Sequence, residues 1–139
     1  MDEASRPPPG ADPPAAILLG RRLLDFDPER RVASVAFHAR PEFANRHGTV
    51  QGGLLAAMLD SATGVALLAC LTPEFTAVTV QLTTSFVKPA PIGPLHATAR
   101  VVALDDRDAE VEAELATPEG EVVARATARL RVLRRRAGG

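Results

Sequence analysis

The chain has 139 residues, of which 46% are hydrophobic, so it fits a single domain whose core needs no disulfide or metal. Its formal net charge of -1, from 16 basic and 17 acidic side chains, argues against nucleic acid as the main partner. One cysteine, Cys70, excludes an intramolecular disulfide, and the polar N-terminus carries no secretory signal. These features favour a cytoplasmic protein.

The first element of the chain is a proline-rich arm. Residues 1–14 contain five prolines and no apolar periodicity, so they are predicted to be disordered. A single domain is predicted over residues 15–134, entered through a short helix at about residues 14–20. Two strands follow, at residues 21–26 and 31–38, and the second alternates its side chains with period two.

The central element is a strongly apolar helix, predicted from about residue 53 to residue 70. A loop over residues 40–50 precedes it, and Pro73 ends it. The helix approaches the length of a membrane span, but small residues dominate its middle and Asp60 lies near its centre. The pattern therefore favours a fully buried core helix over a membrane span.

Four strands are predicted after the helix, at residues 76–87, 95–104, 109–116 and 121–133. In the first of them, one predicted face is apolar and the other polar: Val78, Val80, Leu82 and Phe86 against Thr79, Gln81, Thr83 and Ser85. Because these strands are joined by short hairpins, the order β-β-α-β-β-β-β predicts an α+β fold with an antiparallel sheet. Residues 135–139 are predicted to form a frayed basic tail.

The start of the central helix carries the chemistry. Gly52 and Gly53 open the helix, where backbone N–H groups lack acceptors and lie at the positive end of the helix dipole. An oxyanion or a polarised carbonyl is stabilised at such a place. Asp60 follows in the same helix with no basic residue three or four positions away, and a carboxylate in an apolar helix is costly unless paired or used. Donor and acid together indicate acyl chemistry.

The spacing of these residues is specific. Asn45, Gly48-Thr49-Val50, Gly52-Gly53 and Asp60 give the pattern Asn-x-x-Gly-x-Val-x-Gly-Gly-x6-Asp, and residues 78–82 and 86–90 extend it. In these features the chain resembles the hotdog-fold acyl-CoA thioesterases, specifically the phenylacetate-pathway (PaaI-like) branch. The resemblance covers about residues 20–133.

The resemblance implies a hotdog fold, in which an antiparallel sheet wraps around a long central helix and two subunits join their sheets side by side. Active sites would lie at the homodimer interface, and whether dimers pair into tetramers stays open. The implied substrate is an acyl-CoA, hydrolysed to a free acid and coenzyme A. No cofactor is implied beyond the coenzyme A of the substrate. One cysteine and three scattered histidines offer no metal-ligand spacing.

The resemblance also implies roles for individual residues. Asp60 is the catalytic carboxylate, as a general base on water or as a nucleophile. Gly52 is the oxyanion donor through its N–H group. Asn45 is a partner of the thioester carbonyl or of the turn, and Thr79 helps to orient water near the acid. Substrate-binding positions are Gly53, Lys88 and Pro89, with Lys88 meeting the phosphates of coenzyme A.

Gln51 departs from the family, many members of which carry His immediately before Gly-Gly. An amide can polarise a carbonyl but carries no proton at neutral pH, which excludes imidazole chemistry at this position and leaves Asp60 to titrate. Asp60 lies eight residues beyond Gly52, about 12 Å along one helix at ~1.5 Å per residue. If both act on one carbon, they must come from different chains, so a dimer is required.

Two alternatives remain on the same fold. The first is a non-catalytic acyl-CoA-binding hotdog protein. The second is a hotdog dehydratase or hydratase, an activity associated with a paired histidine and acid, against which Gln51 argues.

Overall fold

A computed structural model of the chain describes residues 12–136. The predicted arm at residues 1–14 lies outside the described residues except for its last three, and the predicted tail at 135–139 except for its first two. The elements are α1 (Pro14–Leu18), β1 (Arg22–Asp27), β2 (Val32–Ala39), a short 3-10 helix (Pro41–Phe43), α2 (Gly52–Leu68), β3 (Phe75–Phe86), β4 (Gly93–Leu104), β5 (Asp108–Ala116) and β6 (Val122–Arg134). The predicted order β-β-α-β-β-β-β is confirmed, and the 3-10 helix was not foreseen.

The six strands form one antiparallel sheet in the order β1-β2-β4-β5-β6-β3. Short hairpins join β4 to β5 and β5 to β6, as predicted. The prediction of a hairpin between β3 and β4 is wrong, because β3 pairs with β6 and is separated from β4 by both β5 and β6. The connecting segment contains Pro89 and Pro91, which fix φ and remove N–H donors, so it passes across the end of the sheet without a tight turn.

Helix α2 packs one face against the sheet. Its buried residues recur with helical spacing: Leu55, Met58, Leu59, Ala62, Thr63, Ala66 and Leu67. The opposite face is open in the single chain, with Gly53, Asp60 and Leu68 exposed. The predicted fully buried helix is therefore wrong for one chain, because the sheet covers one side of α2 only. Within residues 12–136, no helix is long and apolar enough to cross a membrane.

Strand β3 contains a bulge that changes which side chains face the helix. Thr79 pairs with Leu130 and Gln81 with Arg129, so Val80 is an extra residue in β3. Directly opposed residues share a face, and Leu130 is buried, so Thr79 lies on the helix side of the sheet. The same applies to Leu82, which lies opposite buried Ala128.

The predicted faces of β3 are therefore wrong. A strict period of two placed Thr79 with Gln81, whereas the bulge puts Thr79 on the side of Leu82 and Phe86. The bulge turns a hydroxyl toward α2 that an unbroken strand would have turned away from it.

Candidate active site

The loop before α2 is organised by the side chain of Asn45. Its Nδ2 donates to Oγ1 of Thr49 at 3.1 Å, and its Oδ1 accepts the N–H groups of His47 at 2.9 Å and Thr49 at 3.2 Å. Gly48 adopts a φ of 79°, in the left-handed region that favours glycine. Of the two roles predicted for Asn45, these hydrogen bonds favour the turn, because both ends of the amide are used within the loop.

Two backbone hydrogen bonds hold the start of α2 in place. The N–H of Val50 donates to the carbonyl of Ala90 at 2.9 Å, and that of Gln51 donates to the carbonyl of Phe43 at 2.9 Å. Gln51 is the N-cap residue, with extended φ and ψ of -57° and 133° and no capping hydrogen bond from its side chain. The side chain of Gln51 is exposed, so its carboxamide group can reach a ligand.

The next two N–H groups, those of Gly52 and Gly53, have no acceptor among the described residues. Helix α2 aligns them with its dipole. The ring of Phe86 lies beside them, since a methyl group placed on Gly52 would be 3.4 Å from Cζ of Phe86. This end of α2 therefore combines free hydrogen-bond donors with an apolar wall. Phe86 was predicted only as a strand residue, and its position two residues before Lys88-Pro89 was the available signal.

Asp60 lies on the exposed face of α2. Its Oδ1 accepts a hydrogen bond from Oγ1 of Thr79 at 2.8 Å, and its backbone carbonyl accepts one from Oγ1 of Thr63 at 2.9 Å. No ion pair involves Asp60 within residues 12–136. The expected cost of burying this carboxylate does not arise in the single chain, because Asp60 is exposed. What the structure provides is an exposed carboxyl group oriented by one hydroxyl.

Lys88 is already paired. Its Nζ donates to Oε2 of Glu121 at 2.6 Å, and both side chains are largely exposed. The hydrogen bond from Lys88, and then its positive charge, lower the pKa of Glu121. Pro89 is also exposed, and the following Ala90 carries the carbonyl bound by Val50, so this segment borders the start of α2. A phosphate group would have to compete with Glu121 for Lys88.

Cys70 lies in the turn after α2 and is half-buried. Its Sγ lies 3.4 Å from the carbonyl oxygen of Ala66. Burial raises the pKa of the thiol, although the charge of Arg31 acts in the opposite direction. A raised pKa disfavours the thiolate that a nucleophilic cysteine needs.

The predicted residues thus form two groups. Gly52 and Gly53 lie with Phe86 at the end of β3, and Asp60 lies with Thr79 beyond the bulge of the same strand. The groups stay apart in one chain, because eight helical residues separate Gly52 from Asp60, about 12 Å along the axis. Within residues 12–136 no three His, Cys, Asp or Glu side chains are grouped to hold a metal ion.

The sequence and the fold of the chain are similar to those of known thioesterases. A family model described as the thioesterase superfamily matches residues 47–124. A putative thioesterase of Ralstonia eutropha, described as phenylacetic acid degradation-related, is 35% identical with a TM-score of 0.83, covering 88% of this chain and 93% of that one. A Bacillus halodurans protein solved with CoA is 30% identical with a TM-score of 0.75, covering 85% and 74% of the two chains.

The PaaI protein from the phenylacetic acid degradation operon of E. coli shares the fold, with a TM-score of 0.76, 24% identity and coverage of 85% and 83%. No curated protein matches the chain significantly.

Proposed function

Because the chain belongs to the thioesterase superfamily, we propose that it hydrolyses acyl-CoA at sites that two subunits share. It is a thioester hydrolase with the hotdog fold, similar to the phenylacetic acid degradation-related thioesterase of R. eutropha. In each proposed site, Gly52 of one subunit binds the thioester oxygen and Asp60 of the partner subunit acts on the carbon. The products are a free carboxylic acid and coenzyme A.

The observation that carries the proposal is the pair of free N–H groups at the start of α2. The thioester oxygen would accept hydrogen bonds from Gly52 and Gly53, and negative charge developing on it would be stabilised by these donors and by the helix dipole. The exposed amide of Gln51 can add a third donor. The ring of Phe86 would shield this end of the acyl group from water.

Asp60 supplies the acid–base chemistry. As a general base, its carboxylate takes a proton from water while the water oxygen adds to the carbonyl carbon. The C–S bond then breaks, and the proton passes from Asp60 to the leaving thiolate of coenzyme A. As a nucleophile, Asp60 would instead form an anhydride that water cleaves in a second step. Both routes need a carboxylate held in position, and the hydrogen bond from Thr79 supports that orientation.

The position of β3 supports a dimer. This strand is 12 residues long and lies at the edge of the sheet, where Val78 and Val80 are 47% and 51% exposed. A long, apolar edge strand favours pairing with another chain. Two β3 strands paired antiparallel about a two-fold axis at residue 83, with Val80 left unpaired as it is opposite β6, would place Thr79 opposite Phe86 of the partner subunit. Asp60 would then approach Gly52 of the partner subunit.

Release of free thiol from a panel of aryl- and alkyl-acyl-CoA substrates tests the activity. We expect saturable thiol release from at least one class, with matching release of the free acid. Calorimetry on the same panel measures binding separately. Tight binding of acyl-CoA without thiol release would instead identify a non-catalytic acyl-CoA-binding hotdog protein.

Thr79→Val should lower kcat by about 10- to 150-fold, because a hydrogen bond to a charged group contributes about 1.5–3 kcal/mol. Valine keeps the β-branched shape that suits the strand but loses the hydroxyl that orients Asp60. Thr79→Ser is the matched control and should retain most of the activity. Equal kcat values for the valine and serine variants would show that the hydroxyl has no part in the reaction.

A further inference from the structure

A cavity of about 620 Å³ lies on the outer face of the sheet, away from α2. It is found where β2 ends and β4 begins, and the hairpin between β5 and β6 borders it. Two of the three histidines of the chain line it, His38 and His96, together with Arg22. The proposed thioesterase site uses none of these three residues.

Strand register explains why these side chains meet. Ala36 of β2 lies opposite Arg22 of β1 on one side and opposite His96 of β4 on the other, so all three share the outer face. His38 is two residues further along β2 and therefore lies on that face as well. Alanine is small, so Ala36 leaves space between the three longer side chains. Gly20 closes this end, and a Cβ there would lie 3.0 Å from Cβ of His38.

The charge of the cavity is one-sided. No Asp or Glu lines it. Arg22 forms no ion pair among the described residues, although seven other basic side chains do. Neither imidazole has a hydrogen-bond partner within residues 12–136. The nearest acids along the outer face are Asp25, which pairs with Ser34, and Glu114, which lies two residues from Ala116 on β5. Glu114 is already ion-paired with Arg125, and Glu119 lies in the β5–β6 turn.

From this arrangement we propose that the cavity binds a phosphate group. A guanidinium presents paired N–H donors that match phosphate oxygens, and the N–H groups of the two imidazoles add further donors. The volume exceeds that of inorganic phosphate, so a phosphate ester with an organic part fits it. The phosphate can come from a separate small phosphoester or from the nucleotide part of coenzyme A, and the experiment below distinguishes these two sources.

The three histidines allow a direct test by NMR. Inorganic phosphate and pyrophosphate are titrated at pH 6 into ¹⁵N-histidine-labelled protein, with signals assigned from His38→Gln and His96→Gln. We expect saturable shifts for His38 and His96 and none for His47, which lies in the loop before α2 and serves as an internal control. Equal shifts at all three imidazoles, or none, would overturn the proposal.

A triple variant completes the test. Arg22→Gln, His38→Gln and His96→Gln together should weaken pyrophosphate binding by at least about tenfold, since hydrogen bonds to charged groups are lost. Arg30→Gln, in the turn between β1 and β2, is the control and should bind as the wild type does. Unchanged pyrophosphate affinity in a folded triple variant would contradict the site.

The triple variant also identifies the source of the phosphate. If the site takes the nucleotide part of coenzyme A, KM for acyl-CoA rises with little change in kcat, and a pantetheine thioester that lacks the nucleotide is unaffected. If it takes a separate phosphoester, KM for acyl-CoA stays constant while pyrophosphate binding is lost. The NMR titration and the pyrophosphate affinity both measure binding at the outer face and need no thioester hydrolysis. If the protein hydrolysed no thioester, these two measurements would still test the phosphate site.

Discussion

Asp60→Asn should lower kcat for thioester hydrolysis by about 10²–10⁴-fold, the range expected for loss of a general base. Asparagine has nearly the shape of aspartate, and its side-chain oxygen can still accept the hydrogen bond from Thr79. The 2.8 Å contact between Oγ1 of Thr79 and the side chain at position 60 is therefore retained. It carries no negative charge and takes no proton at neutral pH. In this chain Gln51, and not a histidine, comes immediately before the glycine pair, so that position cannot replace the lost base.

The measurement is kcat and KM from thiol release, with the unfolding temperature and the dimer fraction recorded for the same samples. Because Asp60 is exposed in the single chain and makes no ion pair there, the variant should unfold within a few degrees of the wild type. Asp25→Asn is the matched control, since Asp25 is an exposed acid on β1 and should keep full activity. If the two variants turned over equally fast, Asp60 would not be the catalytic acid.

Gly52→Pro should lower kcat by about 10²–10³-fold, the loss typical when one oxyanion donor is removed. Proline lacks the N–H group, yet it is favoured at the first position of a helix because that N–H has no acceptor within the helix. The preceding residue must be extended, and Gln51 already has a φ of -57° and a ψ of 133°. The substitution therefore removes the donor with little cost to the fold.

Gly52→Ala is the control for this variant. Its Cβ would lie 3.4 Å from Cζ of Phe86, an ordinary contact, and it keeps the N–H group. We expect the alanine variant to retain most of the wild-type kcat and the proline variant to lose it. Comparable kcat values for the two variants, with both folded and dimeric, would remove Gly52 from the oxyanion site.

Much of the fold follows from local sequence patterns. Alternation of side chains and turn residues predicts β4, β5 and β6, and both hairpins between them involve neighbouring segments. The bulge at Val80 could not be predicted, because nothing in a run of alternating Val and Thr marks an extra residue. Its effect is large, since it reverses the face on which Thr79 lies. The pairing of β3 with β6 was equally hidden, because strand order depends on contacts between segments far apart in the chain.

The candidate site shows the same division. The distance between the glycine pair and Asp60 could be predicted, because all three residues lie on one helix and the rise per residue of a helix is fixed. The hydrogen bond between Thr79 and Asp60 joins residues 19 positions apart, whereas the role of Thr79 in orienting water stays a prediction. The ion pair between Lys88 and Glu121 joins residues 33 positions apart, and only the folded chain brings them together. The outer cavity likewise depends on the register of β1, β2 and β4.

The central claim is that each site takes Gly52 from one subunit and Asp60 from the partner subunit. Mixing the Asp60→Asn and Gly52→Pro variants tests it most directly. Each variant alone forms dimers in which both sites lack one group. A heterodimer of the two contains one site with both groups intact and one site with neither.

After subunit exchange of an equal mixture, half of the dimers are heterodimers and each has one working site, so activity should recover to about a quarter of the wild-type value. Native mass spectrometry on differently tagged chains confirms that heterodimers have formed. If heterodimers are present and the mixture stays as inactive as the separate variants, Gly52 and Asp60 do not act across subunits and the account is wrong.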